Sequence, residues 1–287
     1  MRELSGLRSK PLLPTKALSE GGIDSALIET VPDQPIERPR TAHIFTPPLL
    51  LIKERENLYH DLWTNRYLTY RSEIVGFAAP REDVDRLRAV NDWLDREAVV
   101  LKAYVAGISS RLFTQRATAI SSADAYALPY QENEDLDLST NERIIADDIV
   151  EHQRDFIRLG TDAPVMRHVS EDALYAFDEV FAGQINTVYP RKPLRALKLQ
   201  EWSGAICKAY VFGQGVVDWS DAGQLRGKLD ALLRERRGTS LTITRIARLY
   251  DQGFLFLLKP DRHRFWTRSI ALRDADDVLA DLRAQGF

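Results

Sequence analysis

Cysteine occurs once in these 287 residues, methionine twice and histidine five times. A lone Cys207 excludes an internal disulfide and fits a reducing compartment. It lies inside an apolar run, where it reads as a small buried side chain whose thiolate is disfavoured, so it is not expected to act as a nucleophile. His43, His60, His152, His168 and His263 are scattered, and His-x-x-x-His, Glu-x-x-His and Cys-x-x-Cys spacings are missing. No metal site is therefore expected. No apolar run approaches the roughly 20 residues that cross a bilayer. The start, MRELSGLRSKPLL, is basic but holds only short apolar pieces, so a secretory signal is not expected either. These absences point to a cytoplasmic protein without a membrane partner.

What is present begins with charge. The formal net charge of −3 hides a segregation, because residues 131–190 carry 14 acidic and 4 basic side chains while residues 191–287 carry 18 basic and 11 acidic. A polyanion is expected to dock on the basic part, although such segregation also suits contact between protomers.

Organisation follows from pattern. Residues 1–40 hold Pro11, Pro14, Pro32, Pro35 and Pro39 with few apolar runs, and read as an extended arm without a core of its own. Leu49–Ile52 reads as a short buried strand, and residues 66–79 as one or two more. Apolar positions Val84, Leu87, Val90, Leu94 and Val99–Leu101 recur at helical steps, predicting a long helix to about Phe113 with a break near Gly107. After an acidic loop at 131–139, residues 140–159 read as an amphipathic helix and Gly160–Pro164 as a domain boundary. Ser170 followed by Glu171–Asp172 starts a helix to 188, ended by Pro190 and Pro193. Strands are expected at 196–202 and 205–212, a helix at 221–237, and a hairpin of strands 241–250 and 254–259 turning at Asp251–Gln252–Gly253. A strand at 264–272 and a helix at 273–285 follow. The pattern is α+β: two mixed helix and hairpin domains, 41–160 and 165–287, with no regular βαβ series.

Chemistry concentrates in KPDRHRFWTRSIALR at 259–273. Lys259, Arg262, Arg264, Arg268 and Arg273 are interleaved there with His263, Phe265 and Trp266. Guanidinium groups beside aromatic faces suit phosphate contact and base stacking. On a strand, Arg264, Trp266 and Arg268 would share one face and form a nucleic-acid-binding stripe. The competing reading makes Trp266 a core ring and pairs the arginines with Asp274, Asp276 or Asp277. Those three aspartates otherwise read as favourable charge at a helix N-terminus rather than a magnesium site. Gly213–Gln214–Gly215 follows a strand but lacks the third glycine of a phosphate loop.

The string IFTPPLLLIKER at 44–55, then Ile74–Val75–Gly76–Phe77, a helix through 84–106, Ser109–Ser110–Arg111–Leu112–Phe113 and Leu128–Pro129 resemble the target-recognition region that follows the catalytic core of N6-adenine DNA methyltransferases. The run from Lys259 to Leu282 is similar to the C-terminal end of large bacterial N-6 DNA methylase-like proteins. The resemblance covers 41–130 and 241–287. It implies a DNA-recognition module of a restriction-modification or phage-defence system, with Lys53, Arg111 and Arg116 extending the footprint of Lys259, Arg262, Arg264, Trp266 and Arg268. Such enzymes hold the extruded adenine with an Asn/Asp-Pro-Pro-aromatic motif and S-adenosylmethionine with a glycine-rich loop. The nearest strings here, Thr46–Pro47–Pro48–Leu49 and Ala127–Leu128–Pro129–Tyr130, supply neither. The chain is thus expected to be non-catalytic alone, a fragment or subunit whose methyltransferase or defence-system partner, or an upstream domain, carries the cofactor. A charge-segregated protein-interaction scaffold is the alternative, and a self-contained nuclease is a third reading for which the sequence displays no carboxylate–lysine cluster.

Overall fold

The computed structural model describes residues 7, 9–32, 41–112, 118–132, 134–202, 204–217, 247–251 and 253–286. It is an α+β protein of two compact units, Met1–Arg158 and Leu159–Phe287.

In the first unit the strand β5 (Leu49–Lys53) pairs antiparallel with both β6 (His60–Trp63) and β8 (Ile74–Ala78). Leu49 and Leu51 face a cluster with Leu13, Leu18, Phe45, Leu68 and Tyr70, whereas Leu50 and Ile52 face Trp93, Leu94, Leu101 and Val105. Burial on both faces is why the strand is apolar at every position instead of alternating. The segment expected to be a separate arm shares this core. Its strand β1 (Pro11–Leu13) pairs antiparallel with β4 (Glu29–Thr30) and parallel with β7 (Thr69–Tyr70), and β2 (Leu18–Ser19) forms a hairpin with β3 (Gly22–Ile23). Leu13, Ala17 and Leu18 are fully buried, so the prolines shape short strands on a core borrowed from later residues.

The long helix expected over 84–113 is two: α1 (Val84–Arg96) and α2 (Ala98–Ile108). The break falls at Glu97, not Gly107. Glu97 is buried at the junction and accepts a hydrogen bond from Arg143 Nη1 at 3.1 Å, a partner that lies 46 positions away. A short α3 (Ser122–Tyr126) and α4 (Thr140–Asp148) follow, each opened by a capping box, Ser121 with Asp124 and Ser139 with Glu142. A π turn at Ile149–Gln153 separates α4 from α5 (Arg154–Leu159), where a continuous helix was expected. Arg154, at the start of α5, meets buried Glu56 at 3.2 Å.

Among its described residues the second unit carries one antiparallel sheet. Its central strand β11 (Ala205–Phe212) pairs with β9 (Leu194–Ala196) and β10 (Gln200–Trp202) on one edge and with β13 (Phe254–Pro260) on the other; β12 (Ala247–Asp251) pairs with β13 beyond it. The expected strand 196–202 is therefore two short strands that share β11 as partner. The expected helix 221–237 and most of strand 241–250 lie outside the described residues. Two helices cover one face, α6 (Glu171–Val188), capped by the Ser170 side chain, and α7 (Arg268–Ala284). Ile206, Tyr210, Leu255 and Leu257 face them, meeting Phe177, Phe181, Ala275 and Val278. Ala205, Cys207, Ala209, Phe256 and Leu258 point the other way and are buried as well. Burial pushes the Cys207 thiol up to about 12.

The expected strand 264–272 is absent. A 3-10 turn, His263–Phe265, leads into α7 at Arg268. Ala271, Ala275, Val278 and Leu282 are all buried and follow one another at three- to four-residue steps. That helical period starts ahead of residue 273, and burying it outweighs the local alternation of Arg264, Trp266 and Arg268.

Candidate functional site

Period 2 along the sheet decides where two lysines go. Leu255 and Leu257 of β13 lie under the helices, so Lys259 follows them onto the covered face. There it is fully buried and its Nζ donates to Asp274 of α7, also fully buried. The ammonium sits 4.2 Å from the Phe177 ring centroid and 4.7 Å from that of Trp266. Burial lowers the lysine to about 8, against the raising effect of the Asp274 carboxylate. Trp266 is fully buried, donates from Nε1 to Pro260 O at 2.8 Å and packs edge-on against Phe177. Lys259 and Trp266 thus leave the expected nucleic-acid footprint, because each is enclosed within its own unit.

The same rule acts on β11. Ile206 and Tyr210 face α6, and Lys208 between them reaches Asp178 Oδ2 at 2.7 Å. Tyr210 donates to Asp178 Oδ1 at 2.6 Å. Burial raises the Asp178 carboxyl even though both partners favour its ionised form, and burial, with the Asp178 charge, holds the Tyr210 hydroxyl well above its ordinary range. Asp178 and Lys208 border an open groove with Glu171, Tyr175 and Lys198. The sequence reading missed both carboxylate–lysine pairs. Their signal was a lysine set at even spacing inside an apolar strand, AICKAYVF and FLFLLKP.

The exposed cations gather elsewhere on this unit. His168 and Arg262 form an antiparallel bridge, Val169 N donates to Asp261 O at 3.0 Å, and His263 N donates to Arg167 O at 3.0 Å. This ladder joins two segments 96 positions apart at their side-chain contact, Arg262 Nη1 to Met166 O at 3.4 Å. Arg167, His168, Arg262 and Arg264 are exposed on it and Arg268 is half-buried. Asp261 is the acid of the platform, 2.9 Å from His168 Nδ1 and 3.6 Å from Arg262 Nε. Arg264 also lies 5.1 Å from the Phe265 ring centroid. Of the expected residues, the structure groups Arg262, Arg264 and Arg268. Arg167 and His168 join them through tertiary pairing, which no local signal announced.

The remaining expected contacts belong to the first unit. Lys53 ends β5, donates from Nζ to Leu18 O at 3.0 Å and lies over the Tyr59 ring; burial, then the neighbouring Arg55, lowers it from its ordinary value. Arg111 is exposed beyond the end of α2. Arg116 lies outside the described residues.

Taken together, the arrangement is an α+β pair of units, the second with a cationic platform over a sheet whose buried charges are matched. Comparison with protein-family models, curated proteins and solved structures finds no match to the chain.

Proposed function

We propose that the chain is a DNA-recognition module that works in the cytoplasm beside a methyltransferase or defence-system protein. That partner holds S-adenosylmethionine and performs the chemistry. The platform of Arg167, Arg262 and Arg264, with His168 beside them, carries this reading, since hydrogen-bonded backbone joins the two segments that bear its guanidinium groups. Pre-set cations are what phosphate positioning requires, and the basic balance of residues 191–287 attracts the polyanion from a distance. The methyltransferase association rests on the resemblance of 41–130 and 241–287.

The test is fluorescence anisotropy with duplex DNA across a salt series. The purified chain is expected to bind at low salt. Arg262→Ala/Arg264→Ala is expected to weaken binding to every sequence alike and to flatten the log–log salt slope by about 2, from about 0.9 per phosphate contact. Unchanged affinity and slope in the double variant, or no binding at low salt, would overturn the proposal.

A second reading, a protein-interaction scaffold, draws on α2. This helix is apolar almost all round, yet Tyr104 and Ile108, one turn apart on the same face, remain exposed. Such a face suits a protein partner. Light scattering separates the two: an assembly that grows with protein concentration, persists in salt and ignores DNA favours the scaffold.

A further inference from the structure

At the opposite end of the second unit from the cationic platform, the end of α6, the end of α7 and the β12–β13 hairpin enclose a cavity of about 850 Å³. The full length of β13 separates the two sites, about 20 Å at ~3.3–3.4 Å per residue. Tyr189, Phe212 and Tyr250 supply aromatic walls, and Arg191 and Lys192 lie in the turn that follows α6. Among the described lining residues none is a carboxylate.

The rings are held in place before any ligand arrives. Tyr189 and Phe212 meet edge-to-face with centroids 5.9 Å apart. Tyr250 donates its hydroxyl to Asp281 Oδ2 at 2.8 Å, so its ring is what remains for a ligand. Both cations at the rim are exposed. Fixed aromatic walls select a planar ring, and cations at a rim whose described lining residues include no carboxylate select an anion attached to it.

We propose that this cavity binds a nucleotide, its base against Tyr189, Phe212 and Tyr250 and its phosphate on Arg191 and Lys192. The shared chemistry, an aromatic base joined to phosphate, comes either from a free nucleotide or from an unstacked nucleotide of a single strand. The inference goes beyond the platform reading and uses none of its residues.

Isothermal titration of the full chain with adenosine 5′-monophosphate tests it, with adenosine and inorganic phosphate as separate probes. The nucleotide is expected to bind more tightly than either part. Arg191→Ala/Lys192→Ala is expected to weaken it roughly tenfold or more with an unchanged melting temperature, and Tyr189→Leu to weaken it by a similar factor through lost stacking. No binding at millimolar nucleotide, equal binding of phosphate or adenosine alone, or an unaltered affinity in the double variant would sink the proposal. Displacement of the nucleotide by a single strand of about twelve nucleotides assigns the site to a strand, and failure to displace it assigns the site to the free nucleotide. Arg262→Ala/Arg264→Ala is expected to leave nucleotide affinity unchanged, so loss of DNA binding at the platform and loss of this site are read independently.

Discussion

Two lysine–aspartate pairs sit side by side under the helices of the second unit, and they differ in one respect. Lys259 and Asp274 are sealed, with the Phe177 and Trp266 rings beside the ammonium and the Arg273 guanidinium 3.8 Å from the Asp274 carboxylate. Lys208 and Asp178 border a groove and recruit the Tyr210 hydroxyl. The strand registers place Lys259 opposite Ile206 and Lys208 opposite Leu257, so the two charges arise from one alternation on neighbouring strands. The difference teaches that burial depth, not the pairing itself, determines how much each partner depends on the other. A sealed ion cannot turn to water when its partner is lost, whereas an ion at a groove can.

The comparison breaks first at Lys259. Lys259→Ala leaves the Asp274 charge buried without its partner and is expected to lower stability by about 3–5 kcal/mol in denaturant unfolding. Lys259→Met/Asp274→Leu is expected to recover most of that loss. Lys208→Ala is expected to be milder, about 1–3 kcal/mol, because Asp178 keeps Tyr210 and faces the groove. A larger loss at Lys208 than at Lys259 would reverse the ranking.

Titration sharpens the contrast. With Lys259 lowered to about 8 by burial, the unfolded chain holds its proton in a pH range where the folded chain has released it. Stability contributed by this group therefore rises as pH increases from about 8 toward the ordinary lysine value of about 10.4. Unfolding free energies at pH 7.5 and 9.5 are expected to favour the wild type increasingly over Lys259→Met/Asp274→Leu; an equal response in both would exclude the assignment. Tyr210→Phe is a smaller change, expected at about 1 kcal/mol in the same unfolding assay for one lost hydrogen bond. Smallest is Arg262→Ala/Arg264→Ala, expected within about 0.5 kcal/mol in thermal unfolding, since both side chains are exposed.

Local rules were legible in the sequence where one element decided its own fate. Ser170 with Glu171 and Asp172 marks the start of α6, four consecutive apolar residues mark β5, and Gly253 marks the turn between β12 and β13. The misreadings share a cause. Arg264, Trp266 and Arg268 alternate locally, but the apolar spacing from Ala271 onward draws the chain into helix. α1 ends at Glu97, whose buried carboxylate meets Arg143, a partner that its own neighbourhood does not reveal. The cationic platform was half visible: Arg262 and Arg264 stand in one run, while Arg167 and His168 come from far up the chain. Lys259 and Trp266 looked like surface chemistry because residue type was visible and enclosure was not.

The ladder joining Arg167–Val169 to Asp261–His263 has a kinetic consequence. Together with the packing of α6 against α7, it ties the first segments of the second unit to its last ones. Closing so long a loop has to precede the contacts that reward it, so high contact order makes this unit a slow folder compared with a helical bundle of its size. During synthesis, Phe177 and Phe181 would wait without their lid until α7 is made. A chain truncated before Arg268 would expose the aromatic face of α6 and be prone to associate.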